Sequence, residues 1–298
     1  MHQLIHPAMV NPYVMSFKLN LNPASGIALP NIRIIYAQGR DAAVFLQAQL
    51  MNDVAALADG QWQYTGWLNP QGRVMALFQL LKLSDQQFLI VLNSLSAEWL
   101  VDNLKRFVFR SKVNLSAIPN VFASGEIIPA LTPLPAGQLF VGNIESQIMI
   151  NIPNALCDRR LTLSQTESVL DDPCHDQWQC IDLAIGWPWI DETVQNIWTP
   201  QMLSLQTLNA FSLKKGCYPG QEIVARTHYL GKSKRHLVSL AGQNLLSTQA
   251  VLQNGQEIGK VVNANRAGDF AVAVLPLQLT ENASIENNAG ILEIITFS

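Results

Sequence analysis

The stretch Lys214-Lys215-Gly216-Cys217-Tyr218-Pro219-Gly220-Gln221-Glu222-Ile223-Val224-Ala225-Arg226 holds the densest set of reactive groups in this chain. A thiol, an amide, a carboxylate, two lysines and an arginine fall within thirteen residues, and Gly216 and Pro219-Gly220 bend the backbone on either side of Cys217 and Tyr218. Reactive groups on a tight turn, carried by packed elements, are how functional loops are usually built. Lys215 and Arg226 are expected to condition the Cys217 thiol, which then serves as a nucleophile, a redox thiol or a single metal contact. The other reading is a buried, inert cysteine. Glu222 either anchors the loop or pairs with Arg226 one helical turn on, and Arg226 alternatively clamps a carboxylate. His228 and His236 follow as candidate bases, although a lone histidine is more often a surface or packing residue. Cys157, Cys174 and Cys180 have no such neighbours and read as structural.

The elements that carry this loop belong to a chain of 298 residues, 49% hydrophobic and 14% charged, enough for two or three domains. No apolar run is long enough to span a membrane, and the N-terminus lacks the basic and apolar regions of a signal peptide, so a cytoplasmic protein is expected. The four cysteines fit a reducing compartment, and with no C-x-x-C pair no metal site is expected. The net charge of -3 argues against bulk binding to nucleic acid. The charge is uneven, however. Residues 214–236 hold six of the 19 Lys and Arg against Glu222 alone, so this segment carries +5 and the remainder -8. The segment is either a solvated basic face or a local anion site.

Periodicity predicts an α+β protein with a β-rich C-terminus. Residues 1–30 read as irregular. In 31–125, strands are expected at 32–37, 61–68, 74–83, 87–92 and 106–113. One helix is expected to start at Asp41 as N-cap, and another to run over 97–107. A second α+β lobe is expected over 126–200, with short strands at 138–141 and 147–152. A helix is placed between Leu161 and Leu170, broken by Asp171-Asp172-Pro173. The signature segment, 201–236, returns towards the first domain. Alternating strands separated by Asn254-Gly255 and Ala267-Gly268-Asp269 predict a small antiparallel barrel over 237–298. Trp178, Trp187, Trp189 and Trp198 crowd into one stretch. They are either core or the wall of a pocket for a flat ligand, with Asp182, Asp191, Glu192 and Gln195 as its polar edges.

The run Lys215-Gly216-Cys217-Tyr218-x-Gly220-Gln221-Glu222-x-x-x-Arg226 resembles the signature of the YgfZ family, folate-binding proteins related to the T-protein (aminomethyltransferase) of the glycine cleavage system. Asp41 to Val54, Leu68 to Val74, and Gly186-Trp187-Pro188 with Thr199-Pro200-Gln201 resemble further blocks of that family in the same order. The likeness therefore covers residues 30–298. It implies a multi-domain, clover-like ring with a central opening for tetrahydrofolate or a one-carbon derivative, and a C-terminal antiparallel β-barrel. It also implies a role in assembly or repair of iron–sulfur enzymes, one of which thiomethylates tRNA. Folate and iron–sulfur enzymes or assembly factors would be the partners, with no direct contact to nucleic acid or membrane.

Trp178 matches a folate-site tryptophan of the family, and a second such position falls on Ile32. Trp178, Trp187, Tyr218, Gln221 and Glu222 are then the candidate folate-binding residues. Cys217, supported by Lys215 and Arg226, is the candidate catalytic group. The catalytic aspartate of T-proteins follows a Leu-Asn-x-x-Gly turn, and in Leu68-Asn69-Pro70-Gln71-Gly72-Arg73-Val74-Met75-Ala76 that position falls on Ala76. Alanine transfers no proton. The resemblance thus favours a tetrahydrofolate-binding accessory protein over a folate-dependent aminomethyl or one-carbon transferase. A scaffold whose loop only binds a partner is the third reading.

Overall fold

A computed structural model describes residues 14–17, 22–128, 138–169, 171–231, 233–279 and 284–297. Residues 1–13 and 18–21 of the expected irregular segment, and Lys232 of the basic segment, lie outside the described residues. Two strands fall where irregular chain was expected, β1 (Val14–Phe17) and β2 (Ala24–Ala28). Both owe their form to long-range pairing rather than to a local pattern: β1 runs parallel to the last strand of the chain, and β2 pairs across a register shift with residues 124–127.

The first sheet contains β3 (Ile32–Gln38), β4 (Trp62–Leu68), β5 (Val74–Ser84), β6 (Gln87–Asn93) and β7 (Asn114–Ala117), in the antiparallel order β4-β5-β6-β3-β7. Helices α1 (Ala42–Gln49) and α2 (Ala97–Lys105) cover one face, where Phe45, Leu46, Leu100 and Leu104 pack on Ala76, Phe78, Leu80 and Ile90. The other face joins a second core, so β5 and β6 are apolar on both sides and read as continuous hydrophobic runs. Asp41 stands at the N-cap of α1 but does not cap it; its carboxylate accepts the Lys112 N–H at 2.6 Å. The strand expected over 106–113 is instead a chain of turns, because α2 ends at Lys105 and its last carbonyls accept from Phe107 and Val108.

The second sheet contains β8 (Phe122–Ile128), β9 (Phe140–Gly142), β10 (Gln147–Pro153) and β11 (Asp158–Ser164), in the order β2-β8-β11-β10-β9. The helix expected between Leu161 and Leu170 is not found. Residues 158–164 alternate buried and half-buried as a strand, and the helix is α3 (Asp172–Ala184). Asp171-Asp172-Pro173 starts that helix rather than breaking one. Asp171 accepts the Cys174 N–H at 3.4 Å, and Pro173 sits in the first turn, where its missing N–H costs nothing.

After α4 (Gln221–Tyr229), strands β12 (Arg235–Ala241), β13 (Ala250–Gln253), β14 (Gln256–Ala264), β15 (Phe270–Pro276), β16 (Ile285–Asn287) and β17 (Gly290–Phe297) follow in the order β17-β12-β15-β14-β13-β16. Pairing of β16 with β17 closes the barrel. Asn254 and Gly255, both at positive φ (53° and 73°), make the tight turn that Asn-Gly announces. Tyr64 and Leu77 of the first sheet, Ile150 and Leu161 of the second, Trp178 of α3, and Phe270 and Val272 of the barrel share one hydrophobic core.

Candidate functional site

The signature loop is held by segments far away in sequence. The Lys215 ammonium donates to three backbone carbonyls at the C-terminal end of α1 and just beyond it: Gln47 and Leu50 at 2.5 Å each and Asn52 at 2.9 Å. Three N–H bonds match three carbonyl acceptors. Burial pushes the Lys215 amine down to about 8, with the Asp53 carboxylate opposing. Asn52 extends the knot, donating to Tyr64 O at 2.9 Å and Asn209 O at 2.7 Å. The buried Tyr218 ring stands 5.0 Å from the Lys215 amine, and its hydroxyl donates to Ser212 O at 3.3 Å. Gln221 closes the loop by donating to Lys215 O at 3.1 Å.

A second tie runs through two glycines. Gly220, at φ 77°, precedes α4, and Gly72, at φ 70°, ends the Asn69–Gly72 turn. A Cβ on Gly220 would lie 2.6 Å from both Asn69 O and Gly72 Cα. The segment 194–201 docks on the same turn: Asn69 donates to Asn196 Oδ1 at 2.8 Å, Arg73 to Ile197 O at 2.7 Å, and Gln201 to Val224 O at 2.7 Å. The sequence blocks around residues 41–54, 68–74, 199–201 and 215–226 thus form one structural unit. Gly220→Ala is expected to lower stability by about 2–3 kcal/mol, since positive φ alone costs an alanine about 1–2 kcal/mol and the facing backbone cannot yield. A urea midpoint for the variant equal to that of the parent would remove this account.

Cys217 is a free thiol exposed on the outside of this unit. Lys215, expected to support it, instead has its charge buried against the carbonyls of residues 47–52. Glu222 and Arg226 are exposed on α4 and form no ion pair with each other. The other three cysteines differ. Cys157 and Cys180 are buried, Cys174 is half-buried, and burial pushes the Cys180 thiol up to about 12, with Asp176 adding to the rise.

Trp178 and Trp187 meet elsewhere, at a narrow cleft between the first sheet and α3 with an inner volume of about 20 Å³ and an open mouth. Ile32, Gln79, Asn93 and Asp182 also line it, whereas Tyr218, Gln221 and Glu222 do not. One face of Trp178 lies on the backbone at Gly125, where a Cβ would come within 2.6 Å of the ring. The Arg159 guanidinium sits 4.4 Å from the ring centroid. Arg159 donates to Asp182 Oδ1 at 2.8 Å and to Trp178 O at 3.3 Å, while its Nε is buried without a partner. Burial holds the Asp182 carboxyl above the usual carboxylate range although Arg159 opposes this, and burial likewise raises the Tyr64 phenol. Trp187 stacks obliquely on Tyr64 with centroids 4.4 Å apart. Of the other expected polar edges, Asp191 accepts from Thr193, Gln195 donates to Met75 O, and Glu192 is exposed.

Arg159 was not among the candidates read from sequence. Its signal was an arginine in phase with Leu161 and Leu163, the buried side of an alternating strand. Ala76 needs a different account from the one its position suggests. It packs on the helix side of β5 with Phe45 and Leu100, and the residues of β5 that line the cleft are Phe78 and Gln79.

A family model described as the GCVT N-terminal domain matches residues 28–124. An uncharacterized protein of Haemophilus influenzae is 31% identical over 270 residues, covering 88% of this chain and 90% of that one. The tRNA-modifying protein YgfZ of Colwellia psychrerythraea is 28% identical over 261 residues (82% and 79%), and that of Aliivibrio fischeri MJ11 is 28% identical over 308 residues (92% and 94%). Among solved structures, the glycine cleavage system aminomethyltransferase T from Bartonella henselae superposes with a TM-score of 0.68 at 15% identity, covering 91% of this chain and 84% of that one. With its signature unit and three-sheet frame, this chain belongs to the YgfZ family and has the fold of the glycine cleavage T-protein.

Proposed function

We propose that the protein binds a reduced folate in the Trp178 cleft and presents Cys217 as the working thiol of an accessory protein for iron–sulfur enzymes, affecting tRNA modification through them. The observation that carries the folate reading is the cleft wall itself. Trp178 is immobilised between Gly125 and Arg159, and Arg159 keeps a buried N–H without a partner beside it. A pterin is flat and edged with donors and acceptors, which suits a cleft mouth flanked by Trp178 and Trp187 with Gln79, Asn93 and Asp182 at its rim. Lys214 and Arg226 are exposed, whereas the Lys215 charge is taken up by backbone carbonyls. When bound, folate supplies a one-carbon carrier. The residues of this chain contribute aromatic edges and the polar groups of Gln79, Asn93 and Asp182.

Aminomethyl transfer needs a carboxylate facing the folate nitrogen. From β5 the cleft is lined by Phe78 and Gln79, neither of them a carboxylate, and the Asp182 carboxylate is engaged by Arg159. The accessory role is therefore the better reading. The test is a fluorescence titration with tetrahydrofolate. Saturable quenching is expected in the parent and a much smaller change in Trp178→Phe; unchanged fluorescence in the parent would sink the folate reading.

A further inference from the structure

The loop between α2 and β7 serves neither the cleft nor the signature unit. Its ends are fixed. Phe107 and Val108 donate backbone N–H bonds to Leu104 O and Lys105 O at 3.0 and 3.1 Å, and Lys112 N donates to the Asp41 carboxylate at 2.6 Å. The Phe107 ring stands edge-on 6.2 Å from Trp67, and Val108 packs against the helix-side core. Ser111 N closes a turn on Val108 O at 2.8 Å, which puts Phe109 and Arg110 at the two central positions.

Phe109 has φ +39°. Glycine, asparagine or aspartate is usual there, and a bulky aromatic is under strain. No packing offsets the strain, because Phe109 is 90% exposed. A strained, rigidly presented residue that does nothing for the core points to a role outside it. The surroundings say of what kind. Lys105, Arg106, Arg110 and Lys112 are all exposed, and residues 105–112 include no acid. Arg40 adds a fifth exposed cation from the neighbouring turn, 3.7 Å from Asp41. The acids at hand are Asp41, which also accepts from Lys112, and Asp102 one turn back in α2. A net charge of -3 taken over the whole chain conceals this local excess.

We propose that this loop is a docking site for single-stranded RNA, in which Phe109 stacks on an unpaired base and Lys105, Arg106, Arg110 and Lys112 hold the phosphates on either side. Both faces of one exposed ring suit one base, and flanking cations track the backbone. A bilayer fits less well, since it would press a broad flank of a net acidic protein against anionic lipid, whereas a strand reaches the loop alone. RNA is favoured over DNA because splayed, unpaired bases are standing features of folded RNA. This inference does not depend on the folate reading.

The test is fluorescence anisotropy of the whole protein with a labelled oligo(U) at several salt concentrations. Binding is expected with a slope of about -3 in log K against log salt, from about 0.7 per phosphate for four cations. Phe109→Gly should weaken binding about ten-fold or more, the usual scale for losing one stacked base. Its melting temperature should hold or rise, because glycine relaxes the positive φ. Arg110→Glu should weaken binding and flatten the salt slope. Equal affinity of Phe109→Gly and the parent would overturn the proposal. So would tighter binding of oligo(dT) than of oligo(U), or failure to bind oligo(U) while the parent sediments with phosphatidylserine vesicles.

Discussion

Cells whose only copy carries Cys217→Ala are expected to lose the proposed accessory function, measured as iron–sulfur enzyme activity and tRNA thiomethylation. The purified variant should keep its melting temperature and its tetrahydrofolate quench. The separation follows from placement. Cys217 is exposed, and the ties that hold its loop come from Lys215, Tyr218, Gln221 and Gly220. Removing one surface sulfur away from such ties should change stability by no more than about 0.5 kcal/mol. Full complementation by Cys217→Ala would remove the thiol from the proposed function and leave the folate site untouched. Loss of activity together with a large fall in melting temperature would instead make Cys217 a structural residue.

Arg159→Met should be the most destabilising single change at the cleft. It strands the buried Asp182 carboxylate, and removing one partner of a buried pair costs about 3–5 kcal/mol. The loss should depend on pH in a fixed sense. Asp182 already has its folded-state carboxyl raised by burial, so its contribution to stability is greatest when protonated and falls as pH rises through that raised value. Without Arg159 the value rises further. The deficit should therefore be large at neutral pH and smaller under mildly acidic conditions, as read from urea midpoints across that range. Arg159→Met with Asp182→Leu should recover much of the loss, because an apolar pair leaves no stranded charge. A deficit that ignores pH and persists in the double variant would mean that packing against Trp178, rather than the ion pair, is what Arg159 supplies. Either way the folate quench should weaken, since Trp178 loses the group beside its ring.

Much of the frame was legible from residue order. The short apolar runs of β12, β14 and β15 and the Asn254-Gly255 turn announced the barrel, because strand-forming composition and turn conformation are local properties. The same holds for Cys217 on a bend, since glycine and proline act on their own φ. Where the local pattern was mixed, reading by pattern failed. Residues 106–113 have strand-like composition, yet the end of α2 and the tie to Asp41 turn them into a loop. Asp171-Asp172-Pro173 signals the end of a helix or the start of one with equal force, and the strand pairing of residues 158–164 decides for the start.

The sequence by itself determined which groups are present and which local shapes carry them: a thiol between two bends, tryptophans in one stretch, strands that end in a barrel. Only the tertiary structure decided how these groups combine. It turned Lys215 inward to three carbonyls, set Gly72 against Gly220, moved Ala76 to the helix side of β5 and placed an unannounced Arg159 beside Trp178. The physical reason is separation along the chain. A side chain's φ, ψ and periodicity depend on its neighbours in sequence. Its partners depend on which faces of which sheets come together, and in this protein those faces are contributed by residues a hundred and more positions apart.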